Sequence, residues 1–167
     1  GILDADAGLY GADFRAGERM AQLIVQVAGR AGRGQRAGEV CIQTHHPDHL
    51  FLQRLLSEGY SGFAQAALVE RQQAQLPPYG SLALLRAEAN KRELSWDFLE
   101  QARDLLQSST APGVEVWGPV PAPMERRGGR YRAQLMLQAN RRSDLQGLLE
   151  DWVRRLGTLK GARKVRW

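Results

Sequence analysis

The sequence predicts an α/β segment followed by an α+β domain. Three observations predict it. Residues 2–28 run strand, glycine-bearing loop, helix. Leu76-Pro77-Pro78-Tyr79-Gly80 then breaks the chain, and two prolines with a glycine set a boundary between residues 1–76 and 77–167. Beyond that break the pattern reads βαββαβ, the split-βαβ order of one four-stranded antiparallel sheet with helices on one face.

Taken in order, Ile2-Leu3-Asp4-Ala5 reads as the end of a buried strand, and a polar loop follows through Arg19. Strand, loop, helix is the unit of an α/β nucleotide-binding lobe, whose ligands sit at the carboxyl ends of strands. Asp4 and Asp6 are only two carboxylates, so loop orientation or helix capping is expected of them rather than metal binding. Glu18–Ala28 is a helix with Met20, Leu23, Ile24 and Val27 at the i, i+3, i+4, i+7 spacing. It ends in Gln26-Val27-Ala28-Gly29-Arg30-Ala31-Gly32-Arg33. Two arginines three apart, each preceded by glycine, present planar, always-charged forks suited to a phosphate. The competing reading is a glycine-stopped helix with solvated arginines.

Glu39–Thr44 alternates as a short strand, with Cys41 expected to be a small buried hydrophobe. His45, His46 and His49 lack a companion at structural-zinc spacing, so loop and helix-start positions are expected and no metal site. Pro47–Glu58 is a helix with Leu50, Phe51, Leu55 and Leu56 inward, stopped by Gly59. Tyr60–Gln75 is a second helix, with Phe63, Ala64, Ala67 and Leu68 inward. Past the boundary come a strand at 81–88, a helix at 94–108 and a strand at 114–120 closed by prolines. A loop at 124–129 carries Arg126 and Arg127. A strand at 131–138, a helix at 143–156 and a last strand at 164–167 follow.

The 43% hydrophobic content allows a packed core, which excludes global disorder. No apolar run is long enough to cross a membrane. One cysteine rules out an internal disulfide and points to a reducing, cytoplasmic compartment. The charge is uneven. Residues 1–125 carry eleven Lys/Arg against fifteen Asp/Glu, net −4, whereas residues 126–167 carry twelve against three, net +9. That concentration is the footprint of a polyanionic partner or an acidic protein tail. The absence of Met at position 1 and a strand pattern running to Trp167 lead us to expect a longer protein on both sides.

Gln26-x-x-Gly29-Arg30-x-Gly32-Arg33 matches the motif VI form QxxGRxGR of superfamily 2 helicases. With Asp4-Ala5-Asp6, Ala12-Asp13-Phe14-Arg15-Ala16-x-Glu18-Arg19, Gln43-Thr44-His45-His46-Pro47, Gln75-Leu76-Pro77-Pro78, Trp117-Gly118-Pro119-Val120-Pro121-Ala122, Arg127-Gly128-Gly129-Arg130-Tyr131 and Ala162-Arg163-Lys164-Val165-Arg166-Trp167, the chain closely resembles the PriA family of bacterial primosomal, replication-restart helicases. The resemblance covers nearly the whole sequence. It departs at Gly11-Ala12, where many members have a proline before the aspartate.

The resemblance implies that residues 1–76 are the C-terminal part of a second RecA-like helicase lobe, with motifs V and VI. It implies that residues 77–167 are the family's C-terminal domain, similar in fold to a small ribosomal-subunit protein. Arg33, with Arg30 beside it, would reach the γ-phosphate of ATP bound with Mg2+ in the intact protein. Gln26, Gly29, Asp6 and Gly8 would belong to the same nucleotide site, and Asp6, Gly8 and Asp13, as motif V residues, would link it to the DNA strand. Arg126, Arg127, Arg130 and Arg132, with Tyr131 interleaved, are candidates for contact with branched and single-stranded DNA. Arg142 and Gln146 match the positions that hold the acidic C-terminal tail of the single-strand DNA-binding protein. Other primosome proteins are implied partners, in a monomeric, nucleoid-associated cytoplasmic protein. Zinc sites are implied upstream.

This chain has no GxxxxGK[ST] loop, no DExx motif and no cysteine cluster, so alone it is expected neither to hydrolyse ATP nor to unwind DNA. Two other readings compete: a non-catalytic binding module, which residues 81–167 alone would support, and a superfamily 2 translocase acting on RNA. The double Gly-Arg argues against the first. The Leu76-Pro77-Pro78 and Trp117–Pro121 segments argue against the second.

Overall fold

The computed structural model describes residues 1–9, 13–31, 39–107 and 113–167, which form two compact units, Gly1–Gln73 and Ala74–Trp167. Gly11, Ala12, Gly32 and Arg33 lie outside the described residues.

In the first unit, α1 (Asp6–Leu9), α2 (Ala16–Ala31) and α3 (Leu50–Gln73) surround a core of Ile2, Met20, Ala21, Ile24, Leu52, Leu55 and Phe63. Asp13 starts α2: its Oδ1 accepts the Arg15 N–H at 3.0 Å and its Oδ2 pairs with Arg19 at 3.0 Å, which satisfies a helix-start donor and places an acid near the positive helix end. The predicted stop at Gly59 is present as a break within α3, where φ of 70° and ψ of −170° leave the helical region.

Three expectations are corrected here. The two short strands reduce to one parallel bridge, Ile2↔Ile42, held by Ile2 N–H to the Cys41 carbonyl and Gln43 N–H to the Ile2 carbonyl, both 2.9 Å. Cys41 is exposed, because the bridge turns Ile42, not Cys41, toward the core. The inward face of α3 is set by Leu52 with Leu55, while Leu50 and Leu56 face solvent at 75% and 60% exposure.

In the second unit, β1 (Ser81–Ala89), β2 (Val114–Arg127) and β3 (Arg130–Ala139) form an antiparallel sheet in the order β1-β3-β2. Strand alternation points Ala87, Ala133, Leu135 and Leu137 to one face, where α4 (Arg92–Gln107) and α5 (Arg142–Leu156) add Phe98, Leu99, Ala102, Leu145, Trp152 and Leu156. Prolines 119, 121 and 123 sit within β2, whose pairing with β3 shifts register between Trp117 and Val120 and between Pro121 and Arg126. In the described sheet β2 is an edge strand, so the missing N–H groups need not cost ladder bonds. Gly80 admits no side chain, since a Cβ there would lie 2.0 Å from the Gln75 carbonyl oxygen. Gln138 Nε2 fixes the same corner by donating to the Ala74 and Gln75 carbonyls at 2.9 and 3.0 Å.

Among the described residues the sheet has three strands rather than four. The expected last strand survives as one antiparallel bridge, Glu88↔Arg166, with N–H to carbonyl distances of 2.8 and 2.9 Å in the two directions. Gly161, at φ 99°, leads into a 3₁₀ turn at Ala162–Lys164, which takes up the residues a longer ladder would need. The expected loop at 124–129 is corrected too. β2 runs on to Arg127, and Gly128 and Gly129, at φ 57° and 75°, make a two-residue hairpin turn into β3.

Candidate functional site

The first cluster of predicted site residues is carried by α1 and α2. Gln26 and Arg30 are four apart on α2, and both are exposed on one helix face. Gly29 lies between them, and a Cβ there would touch nothing within 4 Å, so glycine is not required by packing. Gln26 also borders an open groove of about 650 Å³ with Arg19, Gln22, Leu23, Val25 and Tyr60. Leu23, expected in the core, is instead 47% exposed there.

Asp6 and Gly8 are placed by internal contacts. The Asp6 carboxylate accepts the Thr44 hydroxyl and the His45 backbone N–H, the latter at 2.9 Å, and so ties α1 to the segment after the Ile42 bridge. The Thr44 hydrogen bond first, then the His45 N–H, holds its pKa below the ordinary 3.8. Gly8 faces α2 so closely that a Cβ would lie 2.5 Å from the Cβ of Met20. Neither local contact is visible in the sequence, because the partners lie 38 and 12 residues away. Arg71, another residue missed by sequence reasoning, pairs with Glu18 at 2.6 Å and lies 5.1 Å from the Phe14 ring centroid. His49 Nδ1 accepts the Phe51 N–H at 3.3 Å, a helix-start position as expected.

The Asp6 contact has a consequence for acid stability. A carboxyl whose folded pKa is lowered stabilises the fold above its unfolded pKa and loses that contribution as pH falls through the folded value. Asp6→Asn is therefore expected to lower the melting temperature at neutral pH, with the gap to wild type closing as pH drops below 3.8. Thermal melts of both proteins across that range decide it, and a gap independent of pH would remove the charge from the account.

The second cluster lies at the far end of the β2–β3 hairpin. The register Arg126↔Tyr131 and Arg127↔Arg130 splits the predicted DNA-binding residues between two faces of the sheet. Arg126 stacks over Tyr131 at 5.4 Å and borders a 700 Å³ recess with Asn90, Lys91, Glu93 and Glu125. Arg127, Arg130 and Arg132 face the other way, around a recess of about 550 Å³ that also takes in Arg86, Arg166, Glu88 and Trp167. Arg132 is engaged already: its Nε lies 3.0 Å from Glu88 Oε1, as an ion pair rather than an aligned hydrogen bond, and its side chain is only 15% exposed. Arg86 and Arg166 were missed in the sequence. Arg86 follows from the alternation of β1, but Arg166 could be placed only by the bridge to Glu88.

Arg142 is the first residue of α5 and Gln146 is one turn on, both exposed, so the two side chains share a face near a helix start. Orphan N–H groups and the positive end of the helix dipole favour an anion at such a place.

A family model described as the primosomal protein N C-terminal domain matches residues 72–167. The chain is 44% identical over 151 residues to a replication restart protein PriA of Haemophilus influenzae, a match covering 90% of this chain and 21% of that protein. It is 40% identical over 139 residues to the PriA of a Synechocystis strain, covering 83% of this chain and 17% of the relative. Against the Bacillus subtilis PriA it is 33% identical over 150 residues, covering 90% and 19%. The chain thus spans about a fifth of the length of these relatives.

Proposed function

On the footing that this chain belongs to the PriA family of replication restart proteins, we propose that it serves as the C-terminal part of an ATP-dependent, 3′-to-5′ DNA helicase. That enzyme recognises stalled or branched forks and initiates primosome assembly. The observation that carries the reading is the co-occurrence, in one chain, of Gln26-x-x-Gly29-Arg30-x-Gly32-Arg33 and a C-terminal unit whose arginines cluster at a hairpin end.

In this reading residues 1–76 belong to the second RecA-like lobe. Arg33 and Arg30 stabilise charge on the transferring phosphoryl group of ATP·Mg2+ when the lobes close, which couples hydrolysis to lobe motion. Gln26 and Gly29 border the nucleotide. Asp6 and Gly8 act on it indirectly, Asp6 by tying α1 to Thr44 and His45 and Gly8 by letting α1 pack against Met20 of α2. Residues 77–167 contact DNA through Arg126, Arg127, Arg130 and Tyr131, with Arg132 positioning its neighbours through Glu88. Arg142 and Gln146 take the acidic tail of the single-strand DNA-binding protein, the guanidinium meeting its terminal carboxylate.

The 167-residue chain should therefore bind forked DNA with a steep salt dependence. Neutralising three or four phosphates gives a slope of roughly −3 in log K against log salt concentration. Arg142→Ala should weaken binding of an acidic tail peptide and leave fork affinity unchanged. Anisotropy titrations across a salt series measure both. Salt-independent fork binding, or equal loss of both ligands in the variant, would sink the assignment.

A further inference from the structure

The face of the β1–β3–β2 sheet opposite α4 and α5 carries two chemistries in adjacent rows. The register places Leu84, Met136 and Trp117 side by side across the three strands, with Val120 beside Gln134 in the next row. Trp117 is 54% exposed and Leu84 44%. Further along the same strands this face turns basic, with Arg86, Arg127, Arg130, Arg132 and Arg166 set against the carboxylate of Glu88, while Glu115, two residues before Trp117 on β2, lies at the opposite end of the strip. Arg86 is two residues beyond Leu84 on β1, a distance of about 7 Å along a strand.

An apolar strip alone would name no occupant, and a cluster of arginines would name only an anion. The combination is selective. A duplex carries phosphates outside and hides its base faces, so it would meet the arginines and leave the strip wet. An uncharged apolar peptide would cover the strip and leave the arginines unmatched. A single strand offers unstacked base faces and a phosphate on each nucleotide together.

We infer that this open sheet face is a docking surface for single-stranded DNA, with Trp117 as its stacking platform and Arg86, Arg127 and Arg130 as its phosphate contacts. The inference rests on the reading that this unit binds DNA, and it specifies the strand form and the face. Part of the rim is held in advance. The Glu88 carboxylate fixes Arg132, and the Glu88 backbone bridge fixes the Arg166 main chain, so this part of the rim needs no ordering by the ligand. Gln134 sits in the row between Arg86 and Val120, so an amide stands beside both the strip and the arginines.

The test uses the whole chain with a labelled oligo(dT), a blunt duplex, a forked DNA and an acidic, aromatic-containing peptide as probes. Trp117→Ala should weaken oligo(dT) binding about tenfold, within the range for one lost stacking partner, and leave the blunt duplex unchanged. Arg86→Ala should lower the salt slope for oligo(dT) by about 0.7, the single-strand value for one phosphate contact. Leu84→Ser, at a second exposed position, serves in place of Trp117→Ala if that variant melts below wild type. Unchanged oligo(dT) affinity in folded Trp117→Ala and Leu84→Ser, with fork binding intact, overturns the surface while the DNA-binding reading stands. Equal losses on oligo(dT) and duplex overturn the strand preference. A Trp117→Ala variant that loses the peptide alone assigns the face to a protein partner and overturns the inference. A wild-type chain that binds none of the DNA probes removes the reading beneath it.

Discussion

Replacing Arg33 by alanine in the full-length protein is expected to lower ATP turnover about a thousandfold or more, the scale of a lost arginine finger, while fork affinity stays largely unchanged. Arg30 lies in the last turn of α2 and is exposed, and Gln26 sits one turn before it. A guanidinium on such an element serves transition-state charge only if a second lobe brings the phosphate to it. On the proposed reading the motif contributes to the chemical step rather than to holding DNA. Arg33→Lys separates charge from shape: the ammonium keeps the positive charge but lacks the planar fork, so it should recover only a small part of the rate. Steady-state ATPase assays with and without forked DNA, alongside fork binding, measure both. An Arg33→Ala protein with wild-type turnover would falsify the assignment. One that loses turnover and DNA affinity together would mean that the motif acts through the fold.

What the sequence made legible divides along physical lines. The helices of the second unit were readable because their apolar spacing is strong, and α4 and α5 lie within two residues of the expected bounds. The hairpin carried a sequence signal that a composition-based reading passes over. Gly128-Gly129 between two alternating runs marks a two-residue turn, and only that turn puts Arg126 and Arg127 on opposite faces. Once the turn is placed, the arginines proposed to bind DNA separate into one set with Tyr131 and another with Arg86. The fourth strand was unreadable for a different reason. Lys164–Trp167 has a strand-like pattern, but pairing is decided by what the preceding residues do, and Ala162–Lys164 winds into a 3₁₀ turn. In the first unit the helix faces were misjudged by favouring large side chains. Ala21 is fully buried while Leu23 is not, because close helix packing is made by the small residue. The contacts of Asp6 and Gly8 depend on partners distant in sequence, so a motif could nominate these residues but not tell a ligand contact from a structural one.

Trp152→Ala is expected to destabilise the C-terminal unit by about 3–5 kcal/mol, the scale for deleting a buried large aromatic side chain. Trp152 is 3% exposed, and its indole Nε1 donates to the Ala102 carbonyl at 2.8 Å, so one side chain both fills the α4–α5 interface and fastens it. The two roles separate by substitution. Trp152→Phe keeps most of the apolar volume and loses the donor, so its cost should be nearer 1 kcal/mol, the net value of one hydrogen bond. All four tryptophans lie in this unit, at positions 96, 117, 152 and 167, so their fluorescence reports its unfolding without contribution from Gly1–Gln73. With a urea m-value of about 2 kcal/mol per molar, the alanine variant should move the midpoint by roughly 2 M and the phenylalanine variant by roughly 0.5 M. Equal shifts would mean that the hydrogen bond, not the volume, secures α5. The distinction reaches the proposed partner site, because α5 also carries Arg142 and Gln146. Trp152→Phe should leave α5 docked and the tail peptide bound. At urea concentrations between the two midpoints, Trp152→Ala should lose that peptide in step with its fluorescence transition, since a site of two side chains one turn apart exists only while the helix holds them together.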